Sequence, residues 1–298
     1  MVEKLKPAQI KRYQEDGYLI LKSFFTDEEL KDWEETVVQF YAFQALRIPL
    51  IKEGLKKGCN PARYKTVEDL DNLLFHFEEV DRKAGHFASL LIKSSPAAKR
   101  LVVNAKLLSV ASELLNCPPE FLVLPDQNPT FLFNLPARLT SAKRLLYHWH
   151  SEMNSYPKRR SFLTFWSPTF RNKTANNGTM YFCKGSHIKK HDFAQYSGYD
   201  DDSFNIKDSY RQFETPDYEL TEFEKVPVVC DRGDVAIFID NLVHRSSKNE
   251  TDTTSYTTVV RMFDYSRDLT LSHDATAGHF GGEPYARPGL LPIEYSRR

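Results

Sequence analysis

The sequence predicts a mainly β fold behind an N-terminal helical layer, an antiparallel sandwich or barrel, on three observations. Apolar residues fall at helical spacing up to Pro119, short β-rich runs broken by turn residues follow it, and no helical stretch separates those runs. Strands that follow one another without helices between them pair antiparallel, whereas alternating βα units would build a parallel sheet. A chain of 298 residues suits one such domain, since all-β barrels reach this size as single units. The expected division is a mostly helical part over 1–118, a β core over 119–270 and an extended tail over 271–298 whose many Gly and Pro residues disfavour regular structure.

The elements follow in order. Pro7 opens a helix over Ala8–Asp16, and Gly17 is placed to end it. Tyr18–Phe25 is dense in β-formers, and Thr26 with Glu29 forms a capping box for a helix reaching about Ala45. Residues 46–85 carry mixed charge with Gly54, Gly58 and Pro61 and predict helical pieces and loops. Leu101, Leu107, Leu108, Ala111 and Leu114 fit one amphipathic helix over Ala97–Leu115, closed by Pro118 and Pro119. Strands are expected at Phe121–Leu124, Thr130–Asn134, Ser161–Trp166, Thr179–Cys183, Val226–Val229, Val235–Ile239 and Ser255–Tyr265.

Composition narrows the function. Forty basic residues balance forty acidic ones, so the charge excess expected of a nucleic-acid binder is absent and small molecules are the expected partners. No run of eighteen apolar residues occurs, which predicts no membrane helix and makes a cytoplasmic location the default. Cys59, Cys117, Cys183 and Cys230 form no C-x-x-C pair and read as reduced, mostly buried thiols. Nothing in the sequence speaks to oligomeric state.

The segment Tyr147-His-Trp-His-Ser-Glu152 carries the chemistry. On an extended backbone His148, His150 and Glu152 project from one face, and two imidazoles with one carboxylate form the facial set that holds Fe(II) in non-haem oxygenases. An H-x-E strand pair alone still lacks one ligand, which should be a histidine distant in sequence, and His244 qualifies because it follows the turn Asp231–Asp234 and the strand Val235–Ile239. The plainer reading makes these ordinary strand residues, pairs Glu152 with Lys158 or Arg159, and lets His244 cap a turn. His76 and His86 add nothing to a metal site, and His187, His191, His273 and His279 read as loop or surface residues. Tyr156, Lys158, Arg159, Arg171 and the tail near Tyr285 read as solvated surface or as the lining of an opening for an anionic or zwitterionic small molecule.

Several of these motifs occur in an order that resembles the phytanoyl-CoA dioxygenase family of Fe(II)/2-oxoglutarate oxygenases. Ile10–Gly17 followed by Tyr18-Leu-Ile-Leu and Thr26–Leu30 resembles the family's opening. Trp149–Glu152 resembles its W-H-x-D motif, Asn177-Gly178 with Gly185-Ser186-His187 its N-G…P-G-S-H stretch, and Gly233-Asp234 with His244-Arg245-Ser246 its G-D…H-x-S segment. The resemblance implies a double-stranded β-helix, a cupin-like jelly roll with an N-terminal helical layer, and a hydroxylase that uses O2 and 2-oxoglutarate and releases succinate and CO2. It selects His150, Glu152 and His244 as iron ligands, places Trp166 and Ser246 beside the cosubstrate, and makes Ser186 and His187 a structural turn.

Two positions depart from the pattern. Glu152 stands where the family mostly has Asp, which keeps the charge on a longer side chain. Ser255 stands where the resemblance implies an Arg for the remote carboxylate of 2-oxoglutarate, and a buried carboxylate needs a cation. Strand parity offers Arg261, six residues past Ser255, ahead of Arg160, six before Trp166. The alternatives are an iron oxygenase that works without 2-oxoglutarate and a non-catalytic metal-binding β-sandwich.

Overall fold

The computed structural model describes residues 4–55, 57–125, 128–139, 148–152, 162–189, 191, 194–195, 213–264, 270–271 and 285–286. Helix α1 (Pro7–Asp16) begins at its proline and ends at Gly17, whose φ of 81° is the left-handed value that a glycine takes without strain. Strand β1 (Tyr18–Leu21) stops short of the expected Phe25. The chain turns because Asp234 takes hold of it, accepting from Lys22 Nζ at 2.7 Å and from the Ser23 amide at 2.9 Å. The Thr26–Glu29 capping box then opens α2 (Asp27–Leu46).

The mixed-charge region contains α3 (Pro49–Gly54), α4 (Val67–Val80) and the start of α5 (Arg82–Ile92). A second reciprocal box, Thr66 with Asp69, nucleates α4. The single helix expected over Ala97–Leu115 is two, α6 (Pro96–Val102) and α7 (Ala105–Leu115). The Asn104 side chain accepts the Lys106 amide at 2.9 Å as a new N-cap, and that local bond competes with helix continuation.

Beyond α7 lie β2 (Leu122–Val123), β3 (Thr130–Asn134), β4 (Phe162–Thr169), β5 (Met180–Cys183), β6 (Ala194–Gln195), β7 (Phe213–Glu214), β8 (Lys225–Pro227), β9 (Val235–Ile239), β10 (His244–Ser246), β11 (Ser255–Asp264), β12 (Thr270–Leu271) and β13 (Tyr285–Ala286). The expectations at β3 and β9 match residue for residue, and β4 runs three residues further than predicted. Among the described residues all pairings are antiparallel. The major sheet has the order β1-β9-β4-β11-β2, with β3 also on β11, and the minor sheet is β10-β5-β8. The fold is thus the expected jelly roll with a helical layer.

The central strands of the major sheet are buried on both faces, and side-chain alternation sorts them into two cores. Leu163, Phe165, Val235, Ile237, Tyr256, Val260 and Met262 pack against the helices with Trp33, Tyr41 and Phe131. Trp166, Ala236, Phe238 and Val259 point the other way and meet Met180, Phe182 and Val228 of the minor-sheet side. Polar pins hold the helices to the sheet: Trp33 Nε1 donates to Thr258 Oγ1 at 2.8 Å, and Asp71 of α4 takes both Arg171 Nη atoms at 3.0 and 2.7 Å. The Tyr256 hydroxyl also donates to Asp71. Arg171 is therefore a structural residue rather than part of a substrate opening.

Candidate active site

The candidate ligands converge between the two sheets. His150 and His244 face each other across an antiparallel bridge, with amide-to-carbonyl distances of 2.9 and 2.8 Å in the two directions. Residues directly opposed in such a pair project their side chains from one face. The two imidazole centroids accordingly lie 4.4 Å apart. His244 stands where β10 enters the minor sheet opposite Phe182, and its ring packs against Phe238 of the major sheet at 4.8 Å.

Both rings are oriented by their own chain. His150 Nδ1 lies 2.9 Å from the His148 carbonyl, and His244 Nδ1 lies 2.9 Å from the Leu242 carbonyl. A carbonyl only accepts, so Nδ1 carries the proton in each ring and Nε2 presents the lone pair. This is the tautomer of an Nε2 metal ligand with a backbone carbonyl behind it. Burial lowers the His244 pKa, with a smaller opposing effect from Glu152, and so favours the neutral imidazole.

Glu152 completes the cluster. It is buried, with Oε1 3.9 Å from His244 Nε2 and 2.8 Å from Arg261 Nη2. Its partner is thus Arg261 of β11, whereas Lys158 and Arg159 lie outside the described residues. Among the described residues no three His, Cys, Asp or Glu side chains stand close enough to enclose a metal as they are. Donors at neighbouring octahedral positions would be about 3 Å apart for bonds of about 2.1 Å. The 3.9 Å separation is within a side-chain adjustment of that value, so the donor set of two imidazoles and one carboxylate fits a divalent iron. The His148 ring lies 5.2 Å from that of His150, on the same side, as parity predicts.

The surroundings sort the remaining expectations. Trp166 is buried on the inter-sheet face of β4, and Ser246 lies two residues past His244 on β10. Arg261 shares the face of Ser255 as parity predicts, but its guanidinium is at the Glu152 end of β11. Arg160 falls outside the described residues, as do Tyr156, His273 and His279. Ser186 accepts the Val243 amide at 2.9 Å and His187 meets the Gln14 carbonyl at 2.9 Å, which makes that stretch a structural turn.

Three residues that sequence reasoning missed belong here. Asn128 brackets the Arg261 backbone, its Oδ1 accepting the Arg261 amide at 2.9 Å and its Nδ2 donating to the Arg261 carbonyl at 2.5 Å. Thr164 pairs in register with both Arg261 and Phe238, and its buried hydroxyl finds no hydrogen-bond partner among the described residues. Lys173 is 2% exposed and donates to Ser255 Oγ at 2.8 Å. Each depends on contacts distant in sequence, and only the deficit at Ser255 hinted that a cation was needed.

A helix-backed jelly roll with a polar cluster between its sheets is the architecture of Fe(II)/2-oxoglutarate oxygenases. The chain belongs to the phytanoyl-CoA dioxygenase (PhyH) family, whose sequence model matches residues 13–255, and is by that membership an Fe(II)/2-oxoglutarate-dependent dioxygenase. No curated protein matches the chain significantly. Among solved structures, EvdO2 from Micromonospora carbonacea var. aurantiaca complexed with 2-oxoglutarate is 14% identical, with a TM-score of 0.53 over 98% of this chain and 97% of that one. EctD from S. alaskensis with bound Fe is 17% identical, with a TM-score of 0.56 over 88% and 78% of the two chains. The non-heme alpha ketoglutarate dependent carbocyclase SnoK from nogalamycin biosynthesis is 19% identical, with a TM-score of 0.52 over 88% and 85%. At these identities the likeness establishes the fold.

Proposed function

We propose that the protein hydroxylates an unactivated C–H bond of a small molecule, using O2 and 2-oxoglutarate at an Fe(II) ion held by His150, Glu152 and His244 and releasing succinate and CO2. The observation that carries this reading is the opposed His150–His244 pair, each Nδ1 on a backbone carbonyl, with Glu152 Oε1 3.9 Å from His244 Nε2. The iron, when bound, supplies open positions for the keto acid and for O2 and the oxidising power that follows decarboxylation.

The chain's own residues supply placement. The two carbonyls fix which imidazole nitrogen meets the metal. Arg261 orients the Glu152 carboxylate, and Asn128 fixes the Arg261 backbone. Trp166, Phe182 and Phe238 line the space between the sheets and exclude water from it. The 1–118 helical layer, the 119–270 jelly roll and the 271–298 tail form one catalytic domain in this reading. Among the described residues no disulfide links the cysteines, and Cys117, Cys183 and Cys230 are buried, which suits a cytoplasmic protein. Among the described residues no helix is long and apolar enough to cross a membrane.

Metal analysis after anaerobic reconstitution tests the ligand set. Wild type is expected to take up about one Fe(II) per chain, and His150→Ala and His244→Ala to lose it while remaining folded. Unchanged iron content in either variant would refute the assignment. For the reaction, succinate should form in step with hydroxylated product when candidate small molecules are supplied, and product without succinate would refute it.

A further inference from the structure

We propose that Lys173 holds the remote carboxylate of 2-oxoglutarate, in place of the arginine that Ser255 replaces on β11; the proposal rests on the cosubstrate reading above.

Lys173 begins at the minor-sheet side, where its amide and carbonyl bridge those of Cys230 at 2.7 and 3.2 Å. Its side chain crosses the interior to the major sheet, where Nζ meets Ser255 Oγ at 2.8 Å and lies 5.5 Å from the centroid of the Trp166 ring. That hydroxyl is the one hydrogen-bond partner of Nζ among the described residues, and no described carboxylate pairs with it. An ammonium group has three donors, and burying it without a counter-ion is costly. Desolvation lowers its pKa to about 7. Among the described residues the ammonium therefore has a hydroxyl but no counter-ion beside it.

The geometry fits the cosubstrate. Trp166 pairs with Val259 and Ala236, two residues along β4 from Thr164, which pairs with Arg261 and Phe238 beside the candidate ligands. Two residues of strand advance about 7 Å. The backbone of 2-oxoglutarate spans about 5 Å from carboxyl carbon to carboxyl carbon at ordinary bond lengths. A keto acid chelated at the metal end would therefore extend past Thr164, whose hydroxyl has no described partner, and bring its far carboxylate to the level of Trp166, whose ring lies 5.5 Å from the ammonium. Arg261 is engaged by Glu152 at the opposite end of β11, six residues or about 20 Å of strand from Ser255.

Calorimetric binding to the metal-loaded full chain under nitrogen tests this, with 2-oxoglutarate and with 2-oxopentanoate, which has the same length but no remote carboxylate. Wild type is expected to prefer 2-oxoglutarate. Lys173→Met should weaken 2-oxoglutarate binding about 10- to 100-fold, the range for losing a hydrogen bond to a charged group, and leave 2-oxopentanoate within about 2-fold. Adding Ser255→Arg to Lys173→Met should restore the preference. Lys173→Gln is read in the same way if the Met variant does not fold. An unchanged preference in the charge-removed variants would overturn the proposal and leave the cosubstrate reading standing. Metal-loaded wild type that binds neither keto acid would overturn the cosubstrate reading and with it the role of Lys173.

Discussion

Replacing Lys173 with Met is expected to change how the stability of the keto-acid-free protein depends on pH. In the native state the ammonium is buried and its pKa falls from 10.5 to about 7. At about pH 6 folded and unfolded chains both carry the charge, and the folded one bears the full cost of burying it. As pH rises past about 7 the native group loses its proton while the unfolded group keeps it, so the unfolded state binds more protons and stability rises with pH. Between about pH 6 and about pH 9 the native pKa of about 7 and the unfolded 10.5 together give some two pH units of linkage, or about 2–3 kcal/mol. Methionine has no such dependence, and the other titrating groups cancel in the difference between wild type and variant. Wild type should therefore gain about 5 °C in Tm relative to Lys173→Met over that range, at roughly 2 °C per kcal/mol for a chain of this size. Parallel denaturant melts across the pH series measure it, and a difference that stays flat would refute a buried, titrating ammonium.

Gly178→Ala should destabilise the fold by about 2–4 kcal/mol in chemical denaturation, because φ is 78° and the new Cβ would stand 2.0 Å from Asn134 Nδ2. Trp33→Phe, which removes the indole donor together with buried ring volume, should cost about 2–4 kcal/mol and leave the metal content intact, since Trp33 Nε1 serves Thr258 on the helix side of the sheet. Arg261→Leu should weaken Fe(II) binding about 10- to 100-fold through the loss of the group that orients Glu152, read by competition with a chelator.

What the sequence revealed and what it hid divide by range along the chain. Local chemistry was legible: the Pro7 start and Gly17 stop of α1, the Thr26–Glu29 box, and the apolar run that became β9. The His150–Glu152 parity and the position of His244 after a strand were enough to anticipate a cluster that the fold brings together. Where two local signals competed, the pattern misled. The 97–115 periodicity continued through Asn104, yet a side-chain cap broke the helix there. Parity put Arg261 on the correct face, but parity carries no information about distance along a strand, and Glu152 claims the guanidinium. Lys173 and Asn128 were invisible because neither sits in a periodic segment. Each acquires its role only when β11, far downstream, is laid beside it. Arg171 looked like a surface charge for the same reason, since its partner Asp71 belongs to a helix a hundred residues away.

One edge of β11 pairs with β4, and the other is shared by β3 over Ser255–Val259 and β2 over Phe263–Asp264, with no described strand opposite Arg261 on that side. An open backbone amide and carbonyl at that point would offer a template for a strand from another molecule. The Asn128 carboxamide occupies both groups, so a single side chain works as a one-residue strand and closes the gap. The same two bonds fix the backbone from which Arg261 reaches Glu152. One amide thus satisfies the β11 backbone and steadies the strand that positions Glu152.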